Sequence, residues 1–158
     1  MKLYRITPEK FLENYSGLGG SYKDGARWNH SGHPVMYFAP TPAVAMLEMA
    51  NYLPNPRLVP KTYRLGVYTI PDQYVESLPD TPRLPEGWNS YPHLQHTRDI
   101  GTQWLSSSKK TALLVPSAAV PMGLDNIAVV NPLSKHITEL KLVDVTKNIY
   151  NPRAFAGI

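Results

Sequence analysis

Sixteen prolines and ten glycines punctuate a chain of 158 residues. Each proline fixes φ and removes a backbone donor, so it ends or borders a regular element. The chain is thereby steered to short elements joined by many ordered loops. Together the two residue types make up about a sixth of the sequence, below the roughly 25–30% of low-complexity chains. Gly17, Gly19, Gly20, Gly25 and Gly32 fall close together. That stretch reads as a loop whose backbone can approach a ligand closely. Residues 71–96 are rich in proline and read as a long irregular excursion.

Between these breaks the pattern predicts about six short strands and two or three helices. Residues 3–6 read as an opening strand. Residues 8–15 read as a helix, with Thr7 as cap and Pro8 in the first turn. Residues 35–38 form a buried-type strand. A helix then starts at Pro42 with Thr41 as cap, runs through Ala50 and stops before Pro54. Residues 62–70 alternate as a strand closed by the turn at Pro71-Asp72. Residues 97–105 read as a short helix, with Ile100 and Trp104 four apart on one face. Residues 113–115, 127–130 and 137–145 are further strands, and the tail from 148 is expected to be peripheral. There is no internal repeat and no regular βαβ alternation, so the class is α+β. The expected organisation is a single domain over 1–158, with roughly 70% of the unfolded surface buried.

Composition narrows the function classes. Hydrophobic residues are 42% and charged residues 18%, as in a globular domain. The formal net charge is +4 and the isoelectric point is near 9.3. Apart from Lys109-Lys110 the basic residues are scattered singly. They form no basic block, so direct nucleic-acid binding is not expected. A mildly positive cleft for a phosphate-bearing small molecule fits the same charge. The absence of cysteine excludes disulfides, thiol catalysis and cysteine-ligated zinc. No apolar run approaches a membrane span, and Met1-Lys2-Leu3-Tyr4-Arg5 lacks the apolar core of a signal peptide. A cytoplasmic protein without membrane association is expected.

A few residues could carry chemistry. In the 43–50 helix seven of eight residues are apolar, and the exception is Glu48. A carboxylate there must reach solvent, find a partner or face a cleft. Arg27 sits in Gly25-Ala26-Arg27-Trp28-Asn29. It could grip a phosphate bidentately, or it could be a surface arginine covering Trp28. Ser117 leaves a strand into an apolar loop outside any Gly-x-Ser-x-Gly elbow, so it reads as a backbone-bonded serine rather than a hydrolytic nucleophile. Tyr37 reads as a core aromatic with a satisfied hydroxyl. His30-x-x-His33 and His93-x-x-His96 lie in loop-like segments without an acidic third ligand, so no metal site is expected. Neither a P-loop nor a Gly-x-Gly-x-x-Gly is present.

Taken in order, Tyr4-Arg5, Gly19-Gly20, Gly25-Ala26-Arg27-Trp28-Asn29 with Gly32, Met36-Tyr37, Ala45-Met46-Leu47-Glu48, Val115-Pro116-Ser117 and Asn131-Pro132 resemble the RES domain family. The resemblance covers roughly residues 4–135. It implies an ADP-ribosyltransferase-like core of short, mostly antiparallel strands, and a toxin of a bacterial toxin–antitoxin pair that acts on NAD. NAD is then a substrate, and no cofactor or metal is implied. By position it assigns Arg27, Tyr37, Glu48 and Ser117 to the active site, with Asn131 in the same pocket as a further substrate contact. It implies that Glu48 stabilises an oxocarbenium-like transition state, Arg27 grips the pyrophosphate, Tyr37 stacks on the nicotinamide or lines the ribose side, and Ser117 orients Glu48. Family members often carry histidine two residues after the Asn-Pro pair. Here that position is Ser134, with His136 further on, and neither is given a role. The implied reaction is cleavage of the nicotinamide–ribose bond, depleting NAD by hydrolysis or phosphorolysis, with transfer of ADP-ribose to a specific protein as the alternative. The implied partner is an Xre-type helix-turn-helix antitoxin that blocks the cleft. A homodimer is compatible with the sequence, which carries no dedicated interface motif. The whole reading requires Arg27 and Glu48 to converge on one hollow.

Overall fold

Seven strands and three α-helices occur among the described residues of the computed structural model, which are 1–151 and 153 without 54, 81 and 82. Strand β1 (Lys2–Pro8) pairs antiparallel with β3 (Tyr63–Thr69), and β3 pairs antiparallel with β7 (Lys141–Thr146), giving a three-stranded sheet. A second sheet runs in the order β2 (Met36–Phe38), β6 (Asn126–Val130), β5 (Ala112–Pro116), β4 (Val75–Ser77). Its pairings are antiparallel except β4 with β5, which is parallel. The two sheets touch where Tyr4 and Ala39 exchange backbone hydrogen bonds of 2.8 Å. This is the α+β class that the patterning predicts, with the short, mostly antiparallel strands that the resemblance implies.

Strand alternation divides the interior. Leu113, Val115, Ile127 and Val129 point to one side of the second sheet. There they meet Trp28, Val44 and Ala45 of α2 (Pro42–Ala50), and Leu105 of α3 (Gln95–Ser107). Their neighbours Ala112, Ala128, Val130, Met36 and Phe38 point to the other side, against Leu3, Tyr68 and Ile70. Each fully buried side chain of this size stabilises the fold by ~1.5–3 kcal/mol. Phe38 and Tyr68 meet edge to face at 4.9 Å, and the Tyr68 hydroxyl donates to the Leu12 carbonyl at 2.7 Å.

Several elements differ from the sequence expectation, each for a local reason. The helix expected over 8–15 is absent. β1 extends to Pro8, which pairs with Tyr63, and only one 3₁₀ turn follows, Glu9–Phe11. The Glu9 N–H donates to the Thr62 carbonyl at 2.8 Å and its carboxylate pairs with Arg64 at 2.9 Å, so the segment continues the sheet edge. Within the glycine-dense loop, Gly20–Asp24 forms a short helix, α1. β4 lies inside the stretch read as irregular, and α3 is longer than expected at both ends. The last strand begins at Lys141, after a 3₁₀ turn at Ile137–Glu139. Residues 152 and 154–158 of the expected peripheral tail lie outside the described residues. Just before them Ile149 packs on the core, and the Tyr150 hydroxyl donates to the Met46 carbonyl at 3.3 Å.

Candidate active site

Helix α2 delivers the acid. Thr41 is extended, its hydroxyl accepts from the Val44 N–H at 3.2 Å, and Pro42 occupies the first turn, satisfying an otherwise orphan donor. Val44, Ala45 and Met49 are buried, which leaves Glu48 half-buried on the flank. Ser117 continues the Leu113–Val115 face one step beyond β5 and is fully buried. Its backbone N–H donates to Asp125 at 2.9 Å, and its hydroxyl donates to Glu48 Oε1 at 2.6 Å. A short hydrogen bond to a carboxylate is among the stronger polar contacts available to a side chain. Asn51 Nδ2 lies 3.4 Å from Glu48 Oε2. The acid is therefore held from two directions.

The opposite wall is the loop at 25–29. Gly25 sits at φ +75°, a conformation glycine adopts without strain. Ala26 and Asn29 then close a bridge, with Ala26 N–H to Asn29 O at 3.0 Å. Trp28 is fully buried beneath it. Helix α3 clamps the loop from outside. His30 Nε2 meets Asp99 Oδ1 at 2.7 Å, the His30 N–H donates to Thr102 Oγ1 at 2.9 Å, and Arg98 Nε donates to the Ala26 carbonyl at 3.2 Å. Gly101 of α3 lies directly under the Trp28 carbonyl, with no room for a Cβ.

Arg27 Nη1 donates to the carbonyls of Trp88 at 2.6 Å and Ser90 at 2.9 Å. Both belong to the proline-rich excursion, which thus acts as a bracket for the guanidinium. Among the described residues no other hydrogen bond engages Arg27, so Nη2 and Nε keep donors for a ligand. Burial lowers its pKa, and the field of Glu48 opposes that, followed by Tyr52 and Tyr37. It stays a cation at any physiological pH. Arg27 and Glu48 therefore share one electrostatic environment without a direct ion pair.

Tyr37 projects from the middle of β2 on the same side of the sheet. Its hydroxyl donates to Asn29 Oδ1 at 2.7 Å. Asn29 is fully buried and spends its amide on the carbonyls of Ser21 at 2.7 Å and His30 at 2.9 Å. Burial pushes the Tyr37 hydroxyl far above its usual range, and the Trp28 backbone opposes this. The phenol is a neutral donor throughout the physiological range. His93 stands beside Arg27, where burial and then the charges of Arg27 and Arg98 lower its pKa.

Arg27, Tyr37, Glu48 and Ser117 are thus brought together. Asn131 is not, which corrects its expected place in the same pocket. Asn126 pairs with Pro116 and Val130 with Ala112, so Asn131 and Ser117 lie at opposite ends of the β5–β6 pair. The Asn131 amide donates to the Leu105 carbonyl and its oxygen accepts from the Leu133 N–H, both at 2.9 Å. It lines a separate groove of about 480 Å³ with His33, Lys109 and Ser134. Ser134 shares a 2.9 Å hydrogen bond with Thr111, and His136 stacks on Tyr74. Sequence reasoning did not single out Asn51, Tyr52, Gly101 or the two carbonyls that hold Arg27. Of these, only a glycine inside a helical pattern leaves a sequence trace.

Residues 2–147 match the RES domain family. The chain belongs to this family. Proteins called "Toxin Res" are similar over nearly the whole RES chain. The one from Yersinia enterocolitica is 34% identical over 154 residues, covering 97% of this chain and 99% of the relative. The one from Photorhabdus laumondii is 33% identical, covering 91% and 92%. A "Prs ADP-ribosylating toxin" from Sphingobium is 32% identical, covering 89% and 86%. The fold resembles a chain in the crystal structure of the M. tuberculosis MbcT–MbcA toxin–antitoxin complex. The TM-score is 0.69 at 21% identity, over 92% of this RES chain and 82% of that one. Among the described residues no helix is long and apolar enough to cross a membrane.

Proposed function

We propose that this RES chain is the toxin of a toxin–antitoxin pair and that it cleaves the nicotinamide–ribose bond of NAD. The observation that carries the reading is the Ser117–Glu48 hydrogen bond of 2.6 Å, with the Arg27 guanidinium, its remaining donors free, inside the field of the same carboxylate. Nicotinamide leaves as a neutral molecule from a cationic ring, so the reaction asks little of an acid. It asks for negative charge beside a developing oxocarbenium ion and for a fixed sugar. Glu48 supplies the charge, and Ser117 fixes which carboxylate oxygen faces the ribose. The unengaged nitrogens of Arg27 grip the pyrophosphate. Tyr37, held by Asn29, forms the floor under the ribose. Anchoring the far half of the dinucleotide holds the scissile bond over the acid, and positioning of this kind lowers the barrier by itself.

The acceptor is water in a glycohydrolase and inorganic phosphate in a phosphorylase. Transfer to a protein side chain is the second reading, favoured by the similarity to the Sphingobium ADP-ribosylating toxin. All three share the first bond cleavage. The MbcT–MbcA likeness and the family support a cognate antitoxin, for which we propose an Xre-type helix-turn-helix protein that covers the cleft.

The test is purified protein with NAD, with and without phosphate, followed by product identification. Free nicotinamide is the expected product, and Glu48→Gln should lower its release by about 10²–10³-fold, the usual effect of removing one preorganised electrostatic contact. Arg27→Ala should weaken turnover as well. Transfer of labelled ADP-ribose to a discrete protein in a cell lysate would select the second reading. Near wild-type turnover by Glu48→Gln would overturn the mechanism.

A further inference from the structure

We infer that Tyr52 is a substrate-binding residue that closes over the departing nicotinamide; this rests on the NAD reading above. Helix α2 ends at Ala50, but its winding continues. The Asn51 backbone stays in the helical region, its N–H donates to the Glu48 and Met49 carbonyls, and the Tyr52 N–H donates to the Met49 carbonyl at 2.9 Å. Tyr52 therefore lies about one tightened turn beyond Glu48, ~6–8 Å further along the axis.

The ring is not part of the fold's interior. Tyr52 is 82% exposed, which leaves it little role in stabilising the core. Its backbone is fastened by hydrogen bonds while its ring stands free in solvent. The ring is nonetheless close enough to the site that its hydroxyl acts electrostatically on both Arg27 and Tyr37. An exposed flat apolar surface, on a fastened backbone, a turn beyond a carboxylate and within the field of a guanidinium, suits a planar ring of the ligand.

The spacing selects which ring. Glu48 faces the ribose carbon that loses its base, and the nicotinamide is bonded to that carbon. A helical turn beyond Glu48 is the reach of one ring. The adenine is separated from the same carbon by two ribose units and a pyrophosphate, with Arg27 between. Tyr37 cannot take the outer position, because its hydroxyl is held by Asn29 on the sheet. Tyr37 lies below the substrate and Tyr52 above it.

Stacking of this kind favours the bound substrate and its transition state alike, so it acts on KM more than on kcat. The test is steady-state NAD cleavage by the full chain, comparing wild type, Tyr52→Ala and Tyr52→Phe, with inhibition by nicotinamide and by ADP-ribose measured for each. Thermal melting of each variant confirms the fold. Tyr52→Ala should raise KM about 5-fold to 100-fold, the range for losing one base–aromatic stack, with a much smaller fall in kcat. Inhibition by nicotinamide should weaken by a similar factor, inhibition by ADP-ribose should not, and Tyr52→Phe should restore both constants. An unaltered KM in Tyr52→Ala, a loss confined to ADP-ribose, or failure of phenylalanine to restore binding would overturn the inference while leaving the NAD reading in place. A wild-type protein that releases no nicotinamide would overturn the NAD reading itself.

Discussion

Gly101 offers a sharp test of how the site is assembled. It is buried in the middle of α3, against the loop that carries Arg27. A Cβ at this position would lie 2.7 Å from the Trp28 carbonyl carbon and nearer still to its oxygen, where ordinary contact begins at 3.4 Å. The obstacle is backbone, so no change of rotamer relieves it. In Gly101→Ala either the helix or the loop must withdraw. Inserting a methyl group into a packed interior costs ~1–3 kcal/mol, and the better helix propensity of alanine offsets about 1 kcal/mol. A net loss of up to about 2 kcal/mol follows, visible as a lower midpoint in urea. The activity effect is larger than the stability effect. A shift of about 1 Å in a positioning group lowers rates by about 10²-fold, and Arg27 is the residue before the displaced carbonyl. The assay is nicotinamide release at a temperature where the variant is folded, alongside urea unfolding followed by tryptophan fluorescence. A Gly101→Ala protein with wild-type midpoint and wild-type turnover would refute the claim that α3 seats the Arg27 loop.

Two other outcomes are expected. Ser117→Ala removes the donor to Glu48 at a fully buried position; hydrogen bonds to charged groups are worth ~1.5–3 kcal/mol, so kcat for nicotinamide release should fall about 10-fold or more, and an unaltered kcat would exclude the orienting role. Alkaline stability follows from the buried tyrosines. Burial pushes the Tyr68 hydroxyl up to about 12 and the Tyr37 hydroxyl higher still, whereas unfolded tyrosines titrate near 10. The unfolded chain therefore loses these protons first. Their contribution is whole below about pH 10 and declines as pH rises from 10 through 12. Denaturant titrations across that window should show the decline, reduced in Tyr68→Phe, and a level profile would contradict it.

What the sequence could and could not reveal follows from the range of each signal. The Thr41–Pro42 start of α2 is written in adjacent residues, and so is the isolation of Glu48 among apolar neighbours. The ordered motifs pointed to Arg27, Tyr37 and Ser117, and these converge. Asn131 failed because its place depends on strand pairing. It shares a side of the sheet with Ser117, but which end of β6 meets Pro116 is decided by the antiparallel direction of the pair. Residues 8–15 failed because Pro8 suits a helix start and a strand end equally well. The Thr62 carbonyl, distant in sequence, decided between them. β4 is too short at three residues for alternation to register. The carbonyls that hold Arg27 belong to a segment whose composition says only that it is irregular.

The contacts that build the site join distant parts of the chain. Ser117 reaches Glu48 across 69 positions and Arg27 reaches Trp88 across 61. During synthesis, the acid emerges well before the serine that orients it, and the guanidinium well before the carbonyls that brace it. A nascent polypeptide released early, or clipped within the bracket, holds each reactive group but not their geometry. The geometry of the site is in this way deferred until translation has passed the fifth strand.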